Sequence, residues 1–120
     1  RGDVPELSKA PYVGAFAQAA WVEKNASLAA NAHAAMAEAV ALLKSDKGKY
    51  SALIKEKYAP NLSQALWDDI FRQAQAAMLD GAKGARAGWN YLLALQVADS
   101  KRDYSRASYE RMVMPYAQAN

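Results

Sequence analysis

The chain has no cysteine. That excludes a disulfide, a thiolate metal site and a cysteine nucleophile, and it suits either the cytoplasm or an oxidising periplasm. His33 is the only histidine, so no second imidazole or thiolate completes a transition-metal set, and neither a metal nor another cofactor is expected. A concentrated charge of one sign is also missing: 15 basic and 12 acidic residues leave a net charge of +3. This is far from the basic footprint of a nucleic-acid binder, and no nucleic-acid partner is expected. Long apolar runs are interrupted by Glu38, by Lys44 and by Asp68-Asp69, short of the roughly 20 uninterrupted apolar residues of a membrane span. The expectation is a soluble chain with no transmembrane segment. The opening Arg1-Gly2-Asp3-Val4-Pro5 carries no apolar signal core, so an exported protein would be represented in mature or truncated form.

Alanine is what the chain has in abundance. Hydrophobic residues make up 52% of the 120 positions, but much of that share is alanine, which favours helix and adds little buried area. One domain with a thin, helix-rich core follows. Residues 1–24 differ from the rest. Pro5 and Pro11 discourage helix, and Tyr12-Val13-Gly14-Ala15-Phe16 carries aromatic and β-branched residues suited to an extended strand.

Residues 25–120 read as helical, in about five helices. Asn25 is placed to cap the first, along which Leu28, Ala32, Ala35, Met36, Ala39, Val40 and Leu43 form an apolar stripe. After the break at Ser45-Asp46-Lys47-Gly48, a second helix presents Tyr50, Leu53, Ile54 and Tyr58 and ends at Ala59-Pro60. Asn61 with Gln64 predicts a capping box for a third, lined by Leu62, Leu66, Ile70, Ala74, Ala77 and Met78. A fourth runs through Trp89, Leu92, Leu93, Gln96 and Val97, and a short one over residues 108–114 stops at Pro115. A lone strand cannot satisfy its own backbone, so it would need a sheet supplied by further polypeptide.

No catalytic constellation emerges, and the chain does not read as an enzyme. His33 borders the first apolar stripe without a convergent carboxylate pair, which favours a packing role. Asp68 and Asp69 diverge by about 100 degrees on a helix, so they suit a solvated face. The lysines at 44, 47, 49, 55 and 57 alternate with Asp46 and Glu56, the pattern of a wet helix surface. Gly81 to Gly88 lacks the spacing of a phosphate-binding loop, and its small residues suit a close approach or a joint. None of the serines lies in a Gly-x-Ser-x-Gly elbow. Tyr12, Trp21, Trp67, Trp89, Tyr91, Tyr104, Tyr109 and Tyr116 could wall a pocket, although most should be core. Among them Tyr12 is favoured for ligand contact, because Gly14 lets backbone approach a ligand two residues on.

The order of the segments resembles a known family. Val4-Pro5-Glu6-Leu7, Pro11-Tyr12-Val13-Gly14, Trp21-Val22-Glu23-Lys24-Asn25 and then Ala39-Val40-Ala41-Leu42-Leu43-Lys44 on an alanine-rich helix look like the later part of the nitrate, sulfonate, taurine and thiamine-precursor family of periplasmic binding proteins. The stretches at 49–58 and 61–78 and the ending Tyr109-Glu110-Arg111-Met112-Val113 are similar to that family's later helices and tail. The resemblance implies part of an α/β two-lobed receptor that captures a small organic or anionic solute by lobe closure and delivers it to an ABC permease. It further implies that the sheets lie in an upstream part of the same polypeptide, and that the protein is periplasmic or extracellular, free or lipid-anchored. Tyr12, Val13 and Gly14 match a segment passing near the cleft, and these are the ligand-binding residues that the resemblance suggests. Asn25-Ala26 replaces the family's frequent Asn-Pro, and the charged stretch 99–103 replaces a shorter glycine-containing link. The alternative reading is a free-standing helical module that binds a protein partner through exposed tyrosine and tryptophan.

Overall fold

The computed structural model describes residues 14–100 and 102–119. It is mostly helical, with α1 at Ala19–Lys24, α2 at Ala26–Lys44, α3 at Lys49–Tyr58, α4 at Gln64–Ala77, α5 at Arg86–Asp99 and α6 at Tyr109–Met112. Short 3-10 turns at Asp80–Ala82 and Pro115–Ala117 complete the order. No strand occurs among the described residues, whose only bridge pairs Gly84 with Gln118.

The N-terminal strand is therefore corrected in its described part. Gly14, Ala15 and Phe16 are exposed and outside any regular element. β-Branched and aromatic content favours an extended chain only where a neighbouring edge takes up its backbone groups. The described residues supply none, and by Ala19 the good helix formers prevail. Tyr12 and Val13 lie outside the described residues.

Two expected caps are also reassigned. Asn25 makes no side-chain cap to α2, and its Nδ2 instead donates to the Trp21 carbonyl at 2.8 Å, closing α1. Ser63, not Asn61, caps α4: its hydroxyl accepts from the Leu66 amide at 3.3 Å. Ser108 caps α6 in the same way through the Arg111 amide. For α3 the turn before it does this work. Gly48 takes φ 120°, a backbone that side-chain-bearing residues rarely adopt, and the Asp46 carboxylate accepts from the Tyr50 amide at 3.0 Å and the Ser51 amide at 2.8 Å.

The inward faces of α2 and α4 are rotated from the sequence expectation. On α2 the half-buried stripe is Ala29, His33, Ala37, Val40 and Leu43, whereas Leu28, Ala32, Ala35, Met36 and Ala39 are exposed. On α4 it is Trp67, Phe71, Gln75 and Met78, with the Trp67 and Phe71 rings 5.8 Å apart. Leu66 and Ile70 remain 49% and 42% exposed. The 80–82 turn lies directly on α2, with the small side chains of Ala29 and Ala37 beside His33 on the inward stripe. Gln75 fastens the other end, its Nε2 donating to the Leu43 carbonyl at 2.8 Å and the Asp46 carbonyl at 3.2 Å, where α2 leaves carbonyls without helical partners. Lys44 reaches the Asp80 carboxylate and, at 3.3 Å, the Met78 carbonyl.

A second knot closes the C-terminal third. The Tyr109 hydroxyl donates to the Gly84 carbonyl at 2.5 Å and accepts from the Ala119 amide at 3.1 Å. Gly84 also donates to Ala117 and accepts from Ala119, both at 3.1 Å. Arg86 stands over the Tyr109 ring with its guanidinium carbon 5.0 Å from the centroid, and it pairs with Glu110. Tyr109 is 2% exposed and Trp67 8% exposed, and they are the only buried large apolar side chains among the described residues. Close approach is thus the role of the small residues after Asp80: Gly84 pairs with a second segment and Gly88 is buried in α5.

Candidate functional site

Of the residues singled out for ligand contact, Gly14 alone is among the described residues. Gly14 is exposed, and a methyl group added to it would meet nothing within 4 Å. Tyr12 and Val13 lie outside the described residues. His33 has a packing environment: its Nε2 sits 3.3 Å from the Ala82 carbonyl oxygen, and its ring is 5.2 Å from the Tyr116 ring. A carbonyl only accepts, so that nitrogen carries the hydrogen. Asp68 accepts from Gln64 at 2.7 Å, and Asp69 accepts from Arg72 at 3.0 Å and Gln73 at 2.8 Å. Both carboxylates are exposed, and each is engaged along its own helix. No group of three or more potential metal ligands converges among the described residues.

The concave feature with mixed walls lies between α5 and α6. Trp89, Leu92, Leu93 and Gln96 recur at three- and four-residue intervals, which puts them on one face of α5. Tyr104 and Ala107 approach from the connecting loop and Met112 from α6, leaving a notch of about 160 Å³. The helical quartet, apart from its depth, was legible in the spacing. Tyr104 and Met112 were not, because the intervening loop has no period to read. Of the aromatic residues considered as pocket walls, the fold brings Trp89 and Tyr104 together, while Trp67, Tyr109 and Tyr116 serve the packing described above. A wider region of about 330 Å³ at Ala17, Gln18 and Trp21 is nearly flat, and three exposed residues line it.

The loop carrying Tyr104 is held by local hydrogen bonds. The Ala107 amide donates to the Tyr104 carbonyl at 2.8 Å, and the Ser100 hydroxyl lies 3.2 Å from the Tyr104 hydroxyl. Asp103 accepts from the Ser105 amide at 2.8 Å. That backbone donor, with the Ser105 hydroxyl second, holds the Asp103 carboxyl below its ordinary value and outweighs the upward push of desolvation. One side-chain polar atom of a lining residue has no partner. The indole Nε1 of Trp89 is shielded from solvent and has no hydrogen-bond partner. A shielded donor without an acceptor is unfavourable by about 1–3 kcal/mol. The Trp67 Nε1, on the α4 packing face, is in the same condition.

By length and composition alone, α2 is the one helix among the described residues that could cross a membrane. Asn31, His33 and Glu38 lie within it, and one side of it packs on the 80–82 turn. No protein-family model, curated protein or solved structure matches the chain.

Proposed function

We propose that this chain is a helical layer of a larger binding protein and that it completes its core against further polypeptide. The observation carrying this reading is that α2 and α4 are apolar on two sides. Each packs one stripe inward and leaves another, Leu28 to Ala39 on α2 and Leu66 to Ile70 on α4, in solvent. The two stripes lie about 100 degrees apart around each helix, so each helix carries a broad apolar arc of which only part is packed, and a further layer would cover the rest. The accessible surface of 9086 Å² supports the same reading, since a compact monomer of this mass exposes about 6,300 Å².

The narrower form of the proposal takes its content from the family resemblance. The chain would be the solute-binding component of an ABC import system, located in the periplasm or outside the cell, with the upstream part of the same receptor as the covering polypeptide. It would capture a small organic or anionic solute by lobe closure and pass it to the permease, without bond chemistry. A free-standing interaction module is the weaker reading, because such a module needs a core that closes without help, and Trp67 and Tyr109 are a slight one.

Dye binding and melting of the purified chain test the layer reading. The expected result is strong binding of an apolar-surface dye, reduced when Leu28→Glu and Ile70→Glu are combined, and a broad thermal transition. A sharp cooperative melt with no dye binding would sink it in favour of the free-standing module. For the narrower form, a longer polypeptide containing this chain is titrated by calorimetry against a panel of small organic and anionic solutes. Saturable heat from one of them is expected, and a panel without any response removes the receptor assignment.

A further inference from the structure

We infer that the outer face of α3 is a docking surface for an anionic lipid bilayer. The first observation is where the chain keeps its charge. Of its 15 basic and 12 acidic residues, five lysines lie between positions 44 and 57 against Asp46 and Glu56 alone, which leaves +3 on that stretch. The rest of the chain holds ten basic and ten acidic residues. The whole net charge of the molecule therefore sits on α3, the turn before it and the last residue of α2.

The fold then divides these lysines. Lys44 is occupied by the Asp80 carboxylate and Lys55 is half-buried, whereas Lys47, Lys49 and Lys57 are exposed. Lys49, Leu53 and Lys57 follow one another at four-residue steps, so they form one line along α3. Leu53 is 57% exposed and Tyr58 72% exposed, and the Lys57 ammonium stands 5.3 Å from the centre of the Tyr58 ring. Glu56 is the exposed acid bordering the line, and the Asp46 carboxylate is turned to the Tyr50 and Ser51 amides.

Three features select a bilayer over other anionic partners. All five cations are lysines. Such point charges suit a diffuse anionic surface, whereas specific recognition of one phosphate or carboxylate favours the forked guanidinium of arginine. Leu53 and Tyr58 stand among the cations, where a leucine can enter the acyl boundary and a tyrosine the headgroup layer. A purely electrostatic partner offers them nothing. Finally, neither concave region described above includes a residue of α3, so the face presents a convex ridge to a lipid plane and no groove to a peptide. Helix α3 carries neither of the apolar arcs on which the proposed function rests, and the two readings are tested apart.

Because the chain has no cysteine, Leu53→Cys accepts a single polarity-sensitive fluorophore, with Arg102→Cys as a label remote from α3 in the chain. Both labelled chains are titrated with vesicles containing about one-third phosphatidylglycerol and with vesicles of phosphatidylcholine alone. Saturable binding in the millimolar lipid range or below is expected for the anionic vesicles, and binding about ten-fold or more weaker for the neutral ones or in about 0.5 M salt. The label at position 53 should shift to the blue on binding, and the one at 102 should not. Combining Lys47→Gln, Lys49→Gln and Lys57→Gln is expected to weaken binding by about ten-fold or more at unchanged far-ultraviolet circular dichroism. Removing the same charge elsewhere, with Lys24→Gln, Arg102→Gln and Arg106→Gln, should leave it within about two-fold. The proposal is overturned by equal binding to neutral vesicles, which would place the contact on the apolar arcs of α2 and α4, or by a silent label at 53 on vesicle-bound protein. It is equally overturned if anionic vesicles are not bound, including the case in which polyglutamate or RNA is bound instead. Should the triple lysine variant fail to fold, the two labelled chains alone decide between these outcomes.

Discussion

Tyr109 ties three stretches of chain with one hydroxyl, donating to Gly84 and accepting from Ala119. Removing that hydroxyl takes one bond from each, leaving the Gly84 carbonyl and the Ala119 amide held only by each other in a shielded place. Tyr109→Phe is expected to lower stability by about 1–2 kcal/mol, read as a lower denaturant midpoint together with faster hydrogen exchange at the Ala119 amide. The ion pair beside it behaves differently. Arg86 and Glu110 are both exposed, so Glu110→Gln should change the midpoint by less than about 1 kcal/mol. An equal loss in both variants would contradict this account of the knot. Nothing in the sequence marked Tyr109 out among seven tyrosines, because α6 is a single turn and its contacts come from segments remote in the chain.

At the scale of elements, the existence of helices was legible and their orientation was not. Alanine on every side of α2 gives each face a similar preference for burial, so larger Leu28 and Met36 did not decide which side turned inward. On α4 the pairs Leu66/Ile70 and Trp67/Phe71 share the same four-residue spacing, and the aromatic pair is the one packed. The α4 cap was one short step away: Asn61 and Ser63 are both capping types, and only the backbone turn selects between them. Ser63→Ala should therefore cost about 1 kcal/mol in thermal stability, and Asn61→Ala should leave it nearly unchanged. The reverse order would restore the capping box read from the sequence.

Acid is expected to loosen the start of helix α3. Desolvation pushes the Asp46 carboxyl upward, but the backbone amides of Ser51, Tyr50 and Gly48 together outweigh it and bring the group below its ordinary value of 3.8. Folding thus favours the ionised form. The stabilisation is fully present above the unfolded-chain value and is lost as pH falls through the lower folded one. Amide exchange at Tyr50 and Ser51, referred to that of α4, should accelerate selectively over that acid range, and Asp46→Asn should show the acceleration already at neutral pH. Protection that is independent of pH in the wild type would remove Asp46 from this role.

For the whole molecule, the expected α-helical character is observed, and the strand at 14–16 is not. The strand was inferred from side-chain type, yet pairing depends on backbone partners that the described residues do not offer. The radius of gyration is 16.7 Å, above the roughly 14 Å of a compact chain of this length. Little surface is hidden, so little should be released on unfolding. A urea slope at or below about 1 kcal/mol/M is expected, at the low end for small domains. A markedly steeper slope would show that the chain in solution buries far more than Trp67 and Tyr109.

The pairing of Gly84 with the segment at 117–119 sets which parts of the molecule must let go together. The strap at residues 84–85 leads directly into α5, and Tyr109 grips both the strap and the tail. Fraying of the tail consequently frees the Gly84 amide, leaves its carbonyl to the Tyr109 hydroxyl alone and exposes the phenol at once, making the beginning of α5 and the final residues one cooperative opening unit. A fusion joined directly after Asn120 would pull on that unit, and one attached through a long flexible spacer would not.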